Sequence, residues 1–289
     1  MLSLFWRLPG LPVSQLSVQS RPLLLLLAGV LGGGCGKPPL SPTPPTPGAP
    51  QLTVMTYNVE FHSAGAPTTL EAIGAEDADV VAMQEITPDM ADLISARYAG
   101  TYPHQLFAPA GGTDGLAVIS RYELVDRGIH PGPGGWHPAW HVDVDVPGIP
   151  LQLLNVHLRS LLSGNSGALQ SYLSTGSDHV LEIDDLSSRC DAGLSNLVLG
   201  DFNEGPDGDA VGFLEAEGYA NVLPAFHPGQ PTWRYRSVAG QLEESVDHIL
   251  YDETLRPLDA WVEVKGRSDH LPVLAHFEAR SWQSEPSSD

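Results

Sequence analysis

The chain has 289 residues, 42% of them hydrophobic, and a formal net charge of −21, enough for one large or two small domains with a sizeable core. So acidic a protein repels polyanions at long range, which argues against tight non-specific nucleic-acid binding but leaves open a nuclease that works through a metal. The two cysteines, Cys35 and Cys190, exclude both a disulfide framework and a cysteine-built metal site.

Residues 23–31 form an uncharged apolar run after Arg21 and before Gly32-Gly33-Gly34-Cys35. Nine residues are too few to cross a bilayer, which takes about 20, so residues 1–34 read as an export signal. A cysteine directly after small residues resembles a bacterial lipoprotein signal, with Cys35 as the lipidated first mature residue, although Gly32 stands where a larger aliphatic residue is usual. A plain cleaved secretion signal is the alternative. Either way the expected location is outside the cytoplasm, and the lipoprotein reading adds a membrane tether. Residues 35–50 are rich in proline and predict an extended polyproline II linker that packs no core.

The globular part is expected over 51–280, with a disordered tail over 281–289. Strands are predicted at Leu52–Val59, Val80–Ile86, Leu116–Ser120, His141–Val146, Leu151–Leu158, Leu197–Gly200, Val246–Tyr251, Ala260–Val264 and Leu271–Phe277, from β-branched content and length. Helices are predicted at Thr68–Glu76, at Pro88–Tyr98 with Thr87 as N-cap, once or twice within Ala168–Ala192, and at Asp209–Glu217 with Gly218 as C-cap. The elements alternate without a strict βαβ rhythm. That predicts an α/β fold with two mixed sheets packed face to face and helices outside.

Several predicted strands end in polar residues. Asp201 and Asn203 close Leu197-Val198-Leu199-Gly200-Asp201-Phe202-Asn203, and period-two spacing places both on one face. On its own this motif reads as a turn. However, Asn58 and Glu60, Glu85, Asn155 and His157, Asp247-His248 and Ser268-Asp269-His270 occupy comparable positions. Hard divalent cations such as Mg²⁺ take carboxylate oxygens and need only one or two from the protein, and Glu85 is the leading ligand candidate. Asp201 would hold an attacking water, and Asn58 and Asn203 would hydrogen-bond phosphoryl oxygens. Asp247 would fix the tautomer of His270 and raise its pKa, making it a proton donor.

The ordered set Tyr57-Asn58, Gln84-Glu85, Asn155-x-His157, Gly200-Asp201-Phe202-Asn203, Asp247 and Ser268-Asp269-His270 resembles the endonuclease/exonuclease/phosphatase family, over residues 52–277. The resemblance implies a four-layer α/β sandwich and a metal-dependent phosphoesterase using Mg²⁺, with Mn²⁺ as the alternative ion. It implies Glu85 as principal metal ligand, Asn58 and Asp269 in or beside the metal site, and Asp201 as the water-positioning residue with Asn203 as oxyanion partner. Asp247 and His270 match the family's Asp–His pair, and His157 its second phosphate-contacting histidine. Glu60 stands where some members carry aspartate. The resemblance identifies no acid partner for His157, for which Asp114 is the candidate offered, and Trp233 falls where members often place an aromatic.

The expected substrate is a phosphomonoester or phosphodiester. Nucleic acid is one candidate, although no Lys/Arg cluster marks a basic patch and Arg234 and Arg236 are only a slight basic feature. Specificity is expected in the loops Phe61–Pro67, Ala110–Gly115, His130–Ala139 and Ser160–Gly167. The competing reading is a non-catalytic surface lipoprotein that uses the fold for binding. Nothing in the sequence specifies an oligomeric state.

Overall fold

The computed structural model describes residues 38–280 apart from 64, 133–136, 161–167, 192 and 238–239, and it leaves the side chains of 168–177 and 236–237 undescribed. The strands are β1 (Gln51–Asn58), β2 (Val80–Gln84), β3 (His104–Ala108), β4 (Leu116–Ser120), β5 (Leu124–His130), β6 (Ala139–Val146), β7 (Ile149–His157), β8 (Ser195–Asp201), β9 (Ala220–Asn221), β10 (Trp233–Ser237), β11 (Gly240–Glu244), β12 (Asp247–Tyr251), β13 (Leu255–Val262) and β14 (Val273–Ala279). The helices are α1 (Pro67–Ile73), α2 (Pro88–Tyr98), α3 (Ala168–Ser187), α4 (Asp209–Ala216) and α5 (Val222–Phe226).

Two six-stranded mixed sheets form, in the orders β13-β14-β1-β2-β4-β3 and β5-β6-β7-β8-β12-β9, with β10 and β11 as a separate hairpin. Parallel pairs β1–β2 and β7–β8 lie within the two sheets and are flanked by antiparallel neighbours. Period-two alternation sorts the side chains into layers. Leu52, Val54, Val80 and Ala82 meet Leu151, Leu153, Leu197, Leu199 and Ile249 in the core between the sheets. Met55, Tyr57, Val81 and Met83 face outward onto α1 and α2 residues such as Ile73, Met90 and Ile94. On the other side, Leu154, Val156, Val198 and Leu250 pack against Ile183 and Leu186 of α3 and Val211 and Leu214 of α4. The result is the expected four-layer sandwich.

Helix α2 starts as its sequence predicts: Pro88 occupies the first turn and the Thr87 hydroxyl accepts from the Met90 N–H at 3.3 Å. The strands that apolar runs did not predict are β3, β5, β9 and the β10–β11 hairpin. β3, β5 and β9 lie at sheet edges, and β10–β11 stands apart from both sheets. All of β3 is half-buried, and β5 and β11 are half-buried or exposed, so backbone pairing rather than apolar burial defines these elements. β13 begins five residues earlier than predicted, passing through Pro257 at a register shift. A proline is tolerated there because β13 is an edge strand.

The proline-rich segment departs from the free linker expected over 35–50. From Leu40 onward it is fastened to the domain: Leu40 N–H donates to Ala225 O at 2.7 Å and Thr43 N–H to Leu258 O at 2.9 Å. Thr46 donates through both N–H and hydroxyl to Glu278, at 2.7 and 2.8 Å, and Ala49 is buried. The prolines supply no N–H, so the intervening Leu40, Thr43 and Thr46 make these bonds. The residues assigned to the export signal, Cys35 and the tail 281–289 lie outside the described residues, among which no helix is long and apolar enough to cross a membrane.

Candidate active site

The alternation that builds the core also builds the site. Asn58 follows Leu52 and Val54 in parity along β1, as His157 follows Leu151 and Leu153 along β7. Asp201 follows Leu197 and Leu199 along β8, and Asp247 shares the parity of Ile249 on β12. Each therefore sits on the inward face, at one end of the inter-sheet core. The registers agree, pairing His157 with Asp201 and Asp201 with Asp247 across neighbouring strands. One layer deeper, Gln84 Nε2 donates across the sandwich to Asn155 Oδ1 at 2.7 Å, and Asn155 Nδ2 donates to Met83 O and Ala117 O. Asn155 is thus a buried tie between the sheets.

Three candidates escape this parity because the chain turns. Glu60, Glu85 and Asn203 have φ of 55°, 61° and 51°, a left-handed conformation uncommon outside glycine and concentrated at functional sites. Alternation would send Glu85 outward with Val81 and Met83. Instead β2 ends at Gln84, and the Glu85 carboxylate accepts from Asn58 Nδ2 at 3.1 Å and Phe61 N–H at 3.0 Å. Likewise Asn203 does not continue β8 beside Asp201. Its N–H donates to Asp201 Oδ1 at 2.8 Å and its Nδ2 to Leu158 O at 2.9 Å. The Glu60 carboxylate accepts from the Ser63 hydroxyl.

Asn58 also differs from the expected phosphoryl donor. Its Nδ2 bridges Glu85 Oε1 and Asp201 Oδ2, at 3.1 and 2.9 Å, and its Oδ1 accepts from Glu60 N–H. Both amide hydrogens are spent holding two carboxylates in place.

Asp201 lies between two imidazoles, with its Oδ2 3.5 Å from His157 Nε2 and 3.6 Å from His270 Nε2. His270 Nδ1 donates to Asp247 at 2.9 Å, and Asp247 is itself held by Thr232, whose hydroxyl accepts from its N–H. Burial alone would lower the His270 pKa, but the Asp247 and Asp201 carboxylates outweigh it and raise the value to about 10. His270 is therefore an imidazolium at neutral pH. Burial pushes the Asp247 carboxyl up to about 6, which still leaves it ionised at pH 7 beside that cation. His157 behaves oppositely, with burial lowering it to about 4. Its Nδ1 faces the Thr113 carbonyl at 3.1 Å. Since a carbonyl only accepts, Nδ1 carries the proton and Nε2 presents a lone pair to the cleft. Burial opposes ionisation of Asp201, but the two histidines, Asn58 and the Asn203 N–H outweigh it and lower its pKa.

These groups open onto one cleft of about 340 Å³. Phe61, Thr113, His137 and Ser160 line it, one from each loop expected to carry specificity. Asp114 does not pair with His157. It holds His137 Nδ1 at 2.7 Å, and the His137 ring stacks on His157 at 4.1 Å. Of the expected specificity loop His130–Ala139, residues 133–136 lie outside the described set. Trp233 lines the cleft and donates from Nε1 to Asp269 Oδ2 at 2.9 Å. Arg159 pairs with Asp178 at 2.8 Å and does not line the cleft. Cys190 is half-buried and burial pushes its thiol up to about 11, an inert thiol.

His179 and Glu204 support the site without having been singled out from the sequence. His179, on α3 and 1% exposed, faces Glu204 Oε2 at 2.8 Å and the Arg159 carbonyl at 2.7 Å. Both partners only accept, so both ring nitrogens must donate. Burial opposes that charge, but these bonds raise the pKa above its ordinary value. Glu204 also accepts from Val211 N–H at the start of α4, and its carbonyl accepts from His248 Nε2. The chain on either side of Leu158 and Asn203 is thus bolted to α3, α4 and β12. The only sequence signal was Glu204 directly after Asn203, since the fold alone brings His179 there.

Residues 55–270 match the Endonuclease/Exonuclease/phosphatase family. The chain belongs to that family. Its members are metal-dependent phosphoesterases, both nucleases and phosphatases. The fold is similar to an endonuclease/exonuclease/phosphatase from Beutenbergia cavernae, with a TM-score of 0.63 and 20% identity over 80% of this chain and 72% of that one. It is also similar to D. rerio TDP2 in complex with a single-strand DNA product, with a TM-score of 0.61 and 18% identity over 79% and 99% of the two chains. A third match is the Neisseria 3' phosphatase NExo bound to a product DNA hairpin, with a TM-score of 0.57 and 18% identity over 78% and 98%. No curated protein matches the chain.

The family's metal dependence can be tested against the donors present. Asp201, Asp247 and His270 bring ligand-type atoms within 4.8 Å of one another. However, an imidazolium that donates to Asp247 has no lone pair for a cation, so this trio acts as an ion-paired network. Glu85, Glu60 and Asp269 line the same cleft as hard oxygen donors. Burial, with some repulsion from Asp201, raises the Glu85 pKa, and a divalent cation would reverse that penalty. The donor set fits a hard divalent ion.

Proposed function

We propose that the chain is an exported Mg²⁺-dependent phosphoesterase, with Mn²⁺ as the alternative ion, that hydrolyses a phosphodiester or phosphomonoester. The observation that carries this reading is the convergence of Glu85, Asp201, His157 and the Asp247–His270 pair on one cleft. Glu85 would hold the cation, with Asp269 and Glu60 completing the oxygen set. Bound there, the ion offsets charge on the phosphoryl oxygens and the leaving group.

The chain's own residues supply the rest. Asp201 orients the attacking water and takes its proton, while the His157 Nε2 lone pair accepts the second hydrogen of that water. The water oxygen bonds to phosphorus, the ester P–O bond breaks, and His270 Nε2–H donates to the departing oxygen. Asp247 fixes the orientation of His270. Asn203 keeps one amide hydrogen for a phosphoryl oxygen, and Asn58 sets the spacing between Glu85 and Asp201.

Chelation with EDTA is expected to abolish hydrolysis of an aryl phosphodiester, Mg²⁺ to restore it, and Glu85→Ala to leave less than about 1% of the rate even in added Mg²⁺. Full activity of Glu85→Ala, or of metal-free protein, would refute the metal role. No hydrolysis of any phosphate ester by the intact protein would favour the binding-only surface protein. DNA belongs in the substrate panel because two of the matched structures hold DNA products.

Export and tethering are part of the proposal. The apolar run followed by Gly-Gly-Gly-Cys supports lipidation of Cys35. In a bacterial host, the intact protein is expected to partition into detergent and incorporate labelled palmitate, and Cys35→Ala to do neither. Equal partitioning of the two proteins would refute the anchor.

A further inference from the structure

Beside the catalytic cleft lies a second hollow of about 500 Å³ that shares Glu60, Tyr235 and Asp269 with it. Its remaining wall carries Arg234, Lys265 and Arg267, the first of which the sequence separates from the other two by more than 30 positions. The fold joins them. Arg234 N–H donates to Asp269 O at 2.8 Å, and Trp233 bridges to His270, so the β10–β11 hairpin lies along the Ser268–His270 segment.

The segment is fixed before any ligand arrives. Gly266 has φ of 98°, and a Cβ there would lie 2.2 Å from the Tyr57 hydroxyl, so only glycine lets the loop cross that ring. Arg267 N–H donates to Thr69 Oγ1 at 3.3 Å, and Ser268 Oγ donates to Asn58 O at 2.8 Å. Arg267 is held at the hollow's edge by its backbone, with its side chain exposed.

Among the described residues, most basic side chains are neutralised. Arg121, Arg127, Arg159, Arg189 and Arg256 each lie within 4.0 Å of an acid. Within the hollow, Arg234 faces Glu243 at 3.3 Å, and Lys265 faces Glu263 and Glu76 at 2.7 and 3.5 Å. Arg267 has no acid within ion-pair reach among the described residues. Glu60 and Asp269 stand on the shared wall, where the metal's charge would offset theirs. Between the two hollows Tyr235 is 49% exposed and stacks on Trp233 with parallel rings 5.8 Å apart, an apolar bridge.

We propose that the hollow formed by Arg234, Lys265 and Arg267 binds a second phosphate of the substrate, making the preferred substrate a phosphate ester with a further phosphate on the same molecule. This rests on the phosphoesterase reading and deepens it. The scissile group lies at Glu85 and Asp201, the sugar or ring between the phosphates lies on Tyr235, and the second phosphate meets the Arg267 guanidinium, which can bind it with two parallel hydrogen bonds. A nucleic-acid strand and a polyphosphorylated small ring both offer this chemistry.

The test is kcat/KM at fixed ionic strength for two substrate pairs: a thymidine dinucleotide with and without a 5'-phosphate, and an inositol bisphosphate against a monophosphate. The intact protein is expected to prefer the second-phosphate member of at least one pair by about tenfold or more, and Arg267→Ala and Arg267→Glu to reduce that ratio at least about fivefold. The responding pair identifies the source. Arg97→Ala, which removes the same charge from α2, is expected to leave the ratio unchanged. A ratio near one in the intact protein, an unaltered ratio in both Arg267 variants, or an equal fall in Arg97→Ala overturns the proposal. If no substrate turns over, the phosphoesterase reading fails and calorimetry with inositol bisphosphate decides the subsite alone. Weaker binding by Arg267→Ala upholds it, and equal binding overturns it.

Discussion

Asp201→Ala is expected to lower kcat/KM for any cleaved phosphate ester by about 10³-fold or more, equivalent to about 4 kcal/mol of transition-state stabilisation. Asp201 joins four other parts of the site: it meets both imidazoles, accepts from Asn58, and caps the turn that aims Asn203. The loss is expected in kcat, because the side chain acts on water and protons rather than on substrate binding. Asp201→Asn keeps the volume but turns an amide hydrogen donor toward the Asn58 amide, so it is expected to be comparably impaired. Neither variant should unfold the domain, since His270 keeps its bond to Asp247. A folded Asp201→Ala protein within tenfold of the unaltered rate would rule out this assignment of the water-handling group.

The largest stability effect is expected from Gly200→Ala, one residue earlier. A Cβ at Gly200 would lie 1.9 Å from the Val156 carbonyl oxygen, and the backbone there has φ of 147°. The neighbour is backbone in the paired strand β7, so no rotamer change relieves the overlap. The strands must part, breaking the ladder that sets His157 opposite Asp201. A loss of at least about 4 kcal/mol is expected, read as a melting temperature lowered by roughly 10 °C or more at about 2–4 °C per kcal/mol for a domain of this size. Gly212→Ala in α4 is a fair contrast, because nothing lies within 4 Å of its Cβ position. A Gly200→Ala protein that melts with the unaltered one would show that the strands separate far more easily than the ladder implies.

Two simple regularities made much of this legible in the sequence. Apolar alternation in Leu52–Val54, Leu151–Leu153 and Leu197–Leu199 marked both the core face and, one step further, the catalytic face. That is why Asn58, His157, Asp201 and Asp247 could be named as a set. The rule stops where strands stop. Glu85 and Asn203 are aimed by left-handed turns that alternation does not encode, and the amide of Asn58 is committed to two carboxylates separated from it by 27 and 143 positions. His179 had no local signature, because its meaning comes from two acceptors on other elements. The hollow of Arg234, Lys265 and Arg267 was illegible for the same reason, since its two segments meet only through the β10–β11 hairpin.

The docking of the proline-rich segment changes what a lipid on Cys35 would do. Attachment at Leu40 would leave only Gly36–Pro39 between a lipidated Cys35 and the folded domain. At about 3.1 Å per residue for an extended proline-rich run, the five steps from Cys35 to Leu40 would reach no more than roughly 15 Å. A leash that short does not let the enzyme sweep a volume of surrounding fluid. With Cys35 lipidated, it would restrict the domain to a thin shell at the membrane surface, where encounter would be governed by the local supply of substrate along that surface.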